Sequence, residues 1–165
     1  MEPRKRCAFI FECRQTTGVT PQVILPNGVA FRNDGGRYLA VVAPPPERDC
    51  PSNEFDIDYA LFDEIIWPTL AERVPIFEAI KVTNAHACHY DFNTLDENAI
   101  LGYVPEVENF LIAAGFSGHG FMQSPAIGRA LAELIEFGGY RSLDLTRFGY
   151  ERVLADSPLP ETNCY

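Results

Sequence analysis

Three observations predict an α+β chain, an antiparallel sheet with helices followed by a strand, a glycine turn and a helix. Short β-prone runs crowd residues 7–43. The apolar period then changes to a helical one after residue 55. Glycines at 115, 118 and 120 divide an apolar run from a well-marked helix.

The first four runs, 7–13, 22–25, 29–32 and 38–43, are short, apolar and β-prone. Asn27-Gly28 lies between the second and third, a hairpin signal in which both turn residues take positive φ, so an antiparallel meander is expected. Pro44, Pro45 and Pro46 end the strands and open an exposed connection reaching about Ser52. Over 55–73, Leu61, Phe62, Ile65, Ile66 and Leu70 form a helical stripe flanked by Asp63, Glu64 and Glu72, with a kink or break expected at Pro68. Residues 81–92 read as extended, and 99–104 with 109–114 as a second hairpin around Pro105-Glu106. For the last helix Ser124 is the expected N-cap, Pro125 the first helical residue and Gly138 the stop. Ile127, Leu131, Leu134 and Ile135 are its expected buried face, and Glu133 and Glu136 its solvated one. After about Arg152, Pro158 and Pro160 without any period predict an arm or surface coil.

The 165 residues are 47 % hydrophobic and 22 % charged, enough to bury a genuine core. Thirteen Lys and Arg against 23 Asp and Glu leave −10, which argues against a nucleic-acid partner. No apolar run approaches the roughly 18 residues of a transmembrane segment. Cysteines 7, 13, 50, 88 and 164 are few, scattered and odd in number, which favours a reducing compartment over a disulfide framework. Three bases at Arg4, Lys5 and Arg6 run straight into apolar Ala8, Phe9, Ile10 and Phe11, which reads as a strand and not as a targeting segment.

The chemistry concentrates at 109–125. Three glycines within six positions let a backbone approach a ligand closely, and the following helix offers unpaired N–H groups and a positive dipole end. That combination favours an anion, or a ligand that becomes anionic; a tight connector with packing glycines is the plainer alternative. A dinucleotide loop is rejected. Gln123 stands where the third glycine should pack helix against strand, and only 21 residues follow the acidic Asp144.

The run Gly115, Phe116, Ser117, Gly118, His119, Gly120, Phe121, followed by Ser124, Pro125, Ala126, Ile127 and Gly128, resembles the C-terminal signature of the D-amino-acid-oxidase/sarcosine-oxidase family of FAD-dependent oxidoreductases. Tyr90 to Asn98 is similar to the preceding strand and turn of that family, and Asp144 to Arg152 to its closing segment. The resemblance implies a substrate-domain-like antiparallel sheet and helix over 1–87. It implies a return over 88–150 into an FAD-binding α/β domain whose N-terminal part is absent, and a tail over 151–165. It implies FAD as cofactor, with Gly115, Phe116, Ser117, Gly118, His119, Gly120, Phe121, Met122 and Gln123 lying along the flavin ring and the helix from Pro125 pointing to its pyrimidine edge. A helix N-terminus there stabilises the negative charge of reduced flavin. The family reaction is oxidation of a C–N bond by hydride transfer to flavin. Motif order further resembles a mitochondrial member implicated in assembly of respiratory complex I. The implied partners are therefore an N-terminal flavin-domain half and complex I assembly intermediates.

Two departures from the family pattern bear on function. No Gly-rich pyrophosphate loop is present, so FAD binding by this chain alone is expected to be weak or absent. The second reading is accordingly a non-catalytic interaction or assembly module. Met122 stands where sarcosine-oxidase-like members carry a Lys for a substrate carboxylate, and a thioether cannot pair with one; Arg32 is a candidate substitute. His86 and Cys88 share one strand face while His89 points away, leaving two ligands where zinc needs three or four. Cys88 as a covalent flavin anchor is one residue too far from Asp96, and an ordinary strand cysteine is preferred. Tyr90 and His119 stand open between flavin-lining and packing roles. Asp91 and Asp96 are read as turn caps in preference to an acid/base pair, and Trp67 as a core or interdomain residue.

Overall fold

The computed structural model describes residues 1–15 and 17–162. Cys164, one of the five cysteines, lies outside the described residues. The chain divides into two compact units, residues 4–89 and residues 1–3 with the described residues from 90 onward.

In the first unit five strands run in the order β2-β3-β4-β1-β5. They are β1 (Glu2–Cys13), β2 (Val23–Ile24), β3 (Ala30–Asp34), β4 (Arg37–Val41) and β5 (Ile80–Phe92). The meander is therefore β2-β3-β4, and β1 pairs antiparallel with β4, Phe9 facing Ala40 and Phe11 facing Tyr38. Burial explains the order. Phe9, Ile10 and Phe11 are buried consecutively, so both faces of β1 are covered and it sits inside the sheet. The two-residue β2, with Ile24 exposed, is an edge.

The turns differ from expectation. Gly28 has φ +84° but Asn27 is not at positive φ, because Pro26 builds a three-residue loop in which Gly28 N–H donates to the Leu25 carbonyl at 2.9 Å. The two-residue turn with both φ positive lies instead at Gly35 and Gly36, between β3 and β4.

Cys7, Phe9, Phe11, Phe31, Tyr38, Ala40 and Val42 alternate onto one sheet face and pack with Leu61, Phe62, Ile66, Leu70 and Phe77. Phe77, on a 3-10 turn over Pro75–Glu78, meets Phe11, Phe31 and Tyr38 edge-on at centroid distances of 5.3, 5.7 and 4.8 Å. The helical stripe is continuous through α1 (Tyr59–Leu61), a π-helical turn over Phe62–Ile66, and α2 (Trp67–Arg73). Pro68 has no N–H to give, and the ladder adapts by widening: Trp67 N–H donates to the Phe62 carbonyl, five residues back. Trp67 is 41 % exposed, with its indole N–H on the Glu78 carbonyl, so it is not a core residue.

Residues 44–58 form a strap pinned by charge. Arg6 holds Asp49 through two bonds of 2.8 and 3.0 Å, and Arg48 reaches Asp58 at 2.5 Å. The strap borders an open cleft of about 770 Å³ with Lys5, Cys7 and Leu61.

In the second unit β6 (Ile100–Tyr103) and β7 (Leu111–Ala114) form the expected hairpin, Ile100 facing Ala114 and Tyr103 facing Leu111. Ala99, Leu101, Ala130 and Leu145 centre its core, with Phe116, Ile127, Tyr140 and Phe148 packed around them. Ala130 and Ile127 come from α3 (Gly120–Phe137); α4 (Glu151–Leu154) follows. Leu134 is buried as expected, but Ile135 is 67 % exposed and Glu133 is buried. No helix among the described residues is long and apolar enough to cross a membrane.

Candidate functional site

The turn after β7 is built by left-handed backbone. Gly115 (φ +72°), Ser117 (φ +47°) and Gly118 (φ +96°) reverse the chain within four residues. A Cβ at Gly115 would lie 3.1 Å from Asn93 Cβ and 3.3 Å from Met1 Sδ, so this glycine answers both to conformation and to space. Ser117 pays for its conformation with bonds: its N–H donates to the Asp91 carbonyl at 3.2 Å, and its Oγ accepts Asn93 N–H at 3.0 Å. The Asp91 carboxylate accepts Gly115 N–H at 2.5 Å.

The helix begins a turn earlier than Ser124 and Pro125 predict. His119 is the N-cap and Pro125 lies inside α3. Pro125 cannot donate to the Phe121 carbonyl, and Ser124 Oγ–H takes that carbonyl at 2.9 Å. Ser124 thus compensates the proline within the helix and does not cap it. Gly138 ends the helix at φ +67°, as expected.

All nine predicted site residues therefore lie on one continuous turn and first helical turn. Gly115 and Ser117 are buried, Phe116 packs against Gly120, and Gly118 is exposed. Phe121 is 90 % and Met122 61 % exposed. The first N–H groups of an α-helix have no partner within the helix, and the N-cap His119 makes no side-chain cap bond at this positive end. An exposed glycine, an exposed aromatic ring and aligned N–H groups fit the electron-rich edge of a flat ring. They provide no diphosphate cradle, with Gln123 at the third-glycine position.

The acids are structural. Asp96 is buried and holds Arg152 in a two-point ion pair, Nε at 2.8 Å and Nη2 at 3.1 Å. Burial pushes its carboxyl up, but the Arg152 hydrogen bond and the N–H groups of Leu159 and Asn98 outweigh it and hold the pKa below the ordinary value. The expected solvated face at Glu133 is corrected. Its carboxylate accepts the Ser142 hydroxyl and the N–H groups of Ser142 (3.0 Å) and Arg141 (2.7 Å), which lower its pKa to about 2. Beyond Arg152 the chain lacks a period yet is tied down, Leu159 N–H to Asp96 and Asn98 Nδ2 to the Leu159 carbonyl. Arg152 lies in the closing segment the family resemblance marked, but its pairing with Asp96 was not legible in the sequence, because 56 residues separate them and no local pattern links them.

In the first unit His86 and Cys88 are exposed on β5, while His89 is half-buried edge-on to Phe55. Cys88 Sγ sits 3.7 Å from the Arg6 carbonyl. Among the described residues no group of three or more His, Cys, Asp or Glu could hold a metal ion.

The family model for FAD dependent oxidoreductases, DAO, matches residues 1–134. The chain belongs to that family. Membership implies FAD as the cofactor. FAD-dependent oxidoreductase domain-containing protein 1 of Xenopus laevis is 41 % identical over 99 % of this chain and 33 % of its own length. Peroxisomal sarcosine oxidase of Homo sapiens is 40 % identical over 56 % of this chain. L-proline dehydrogenase from P. horikoshii superposes with a TM-score of 0.84 at 25 % identity, covering 96 % of this chain and 41 % of that one. Glycine oxidase from Geobacillus kaustophilus shares the fold, with a TM-score of 0.74. The chain spans about a third of the length of the curated relatives it matches.

Proposed function

We propose that this DAO-family chain forms the substrate-domain sheet and the flavin-ring turn of an oxidoreductase acting on an amine C–N bond. The observation that carries the reading is the 115–123 turn, whose left-handed backbone leads straight into the head of an 18-residue helix that no N-cap side chain closes. FAD, when bound, supplies the hydride acceptor that converts the amine to an imine, which water hydrolyses. The helix N-terminus offers favourable potential to developing negative charge. Gly118 admits close approach of the backbone, and Phe121 supplies an apolar wall against water. Met122 offers no partner to a substrate carboxylate, so any such group is held by another base.

An N-terminal flavin-domain half completes the diphosphate site in this reading. A visible absorption spectrum after desalting tests it. The chain mixed with FAD is expected to come through colourless, and to retain flavin once the upstream half of a full-length relative is supplied. Loss of flavin in both cases overturns the reading.

A mitochondrial location and a role in complex I assembly extend the proposal through the motif resemblance. Met122 and the 90 % exposed Phe121 also favour a second reading, an assembly module without turnover. Native gels of mitochondrial extracts separate the two. Flavin-free chain migrating with complex I assembly intermediates supports the module, and migration that requires flavin supports the oxidoreductase.

A further inference from the structure

One buried polar chain joins the segment after α3 to the glycine turn. Arg152, only 9 % exposed, forks onto Asp96 and also donates to the carbonyls of Phe148 (2.8 Å) and Asn98 (3.0 Å). Asp96 Oδ1 accepts Asn93 Nδ2 at 2.8 Å, and the same nitrogen reaches the Asn98 carbonyl at 2.6 Å. The backbone N–H of Asn93 then donates to Ser117 Oγ. Ser117 is fully buried at φ +47°, a conformation that persists in a non-glycine residue only where the surroundings over-determine it.

We propose that Arg152 is a positioning residue for the 115–123 turn, acting through Asp96 and Asn93 on the hydroxyl of Ser117. The consequence for flavin rests on the function proposed above; the coupling does not. A buried ion pair adds little net stability over apolar packing, whereas a planar five-donor fork fixes direction. The direction fixed here is that of Asn93, whose Cβ lies within 3.1 Å of where Gly115 would carry its own. Movement of Asn93 is therefore felt at two of the three left-handed residues of the turn, Gly115 and Ser117.

The test compares Arg152→Lys with Glu133→Gln, which loosens a different part of the same unit. Amide hydrogen exchange is read at Ser117 and His119 in the turn and at Ile100 and Leu101 in β6. Arg152→Lys is expected to speed exchange at Ser117 and His119 about tenfold more than in β6, the size of a typical network coupling. Glu133→Gln is expected to show no such preference. If Arg152→Lys speeds turn and β6 amides equally, its role is merely structural and the proposal falls. Asp96→Asn, which keeps the shape of the side chain, must give the same selective pattern, and its absence there also overturns the proposal. With the upstream half and FAD supplied, the visible band of bound flavin is expected to change shape in Arg152→Lys and not in Glu133→Gln. Selective exchange together with no flavin retained by the unaltered chain even when the upstream half is supplied supports the positioning role and rejects the flavin reading alone.

Discussion

At Gly115 two constraints that are usually separate coincide, a positive φ and a Cβ position already crowded by Asn93 and Met1. Gly28 shares the positive φ but has nothing within 4 Å. Gly28→Ala should therefore cost about 1 kcal/mol and Gly115→Ala about 2–3 kcal/mol, read from urea unfolding. Glu133 contributes to the pH dependence of its unit beside Asp96 and Asp144, whose carboxyls are also held below the ordinary value. Its folded pKa, about 2, lies below the ordinary 4.5, so its contribution is complete above pH 4.5 and lost as pH falls towards 2. Unfolding midpoints should drop over that window, and Glu133→Gln should flatten the drop.

Among the elements, α3 tolerates an interior proline because a serine stands beside it. The Phe121 carbonyl has a donor in either case, Ser124 Oγ–H now or a residue-125 N–H if the proline is removed. Pro125→Ala should stabilise the chain by about 1–2 kcal/mol, less than the full helix-interior penalty, because Ser124 already offsets part of it. Urea midpoints measure the gain. The π turn before Pro68 solves the same problem by another route, shifting the backbone register instead of recruiting a side chain. Phe77 contributes from the shortest of elements. Its ring closes a core of three other aromatics, and Phe77→Ala should cost about 3–5 kcal/mol.

Across the whole molecule, each unit has its own apolar cluster, and the second leaves large apolar side chains in solvent. Phe121, Ile135 and Phe137 are 90, 67 and 55 % exposed. Exposed apolar surface of this kind drives association. The chain should self-associate as concentration rises, and Ile135→Lys should shift sedimentation towards the monomer. Unchanged sedimentation in that variant would assign the association to another face.

Period and punctuation were enough to read the α+β class, the second hairpin, the stripe of Leu61, Phe62, Ile66 and Leu70, and the stop at Gly138, since each depends on neighbours within a few residues. The glycine turn was legible for the same reason, and its motif carried the family. The start of α3 was misplaced because Ser124 and Pro125 form a local capping signal that the longer helix overrides. The place of β1 beside β4, the burial of Glu133 and the Arg152–Asp96 pair were decided only by tertiary structure. The β1–β4 and Arg152–Asp96 pairings join groups far apart in sequence, and Glu133 finds its partners 8 and 9 residues on, past the helix stop; a buried charge is tolerated only once such a partner has been folded against it.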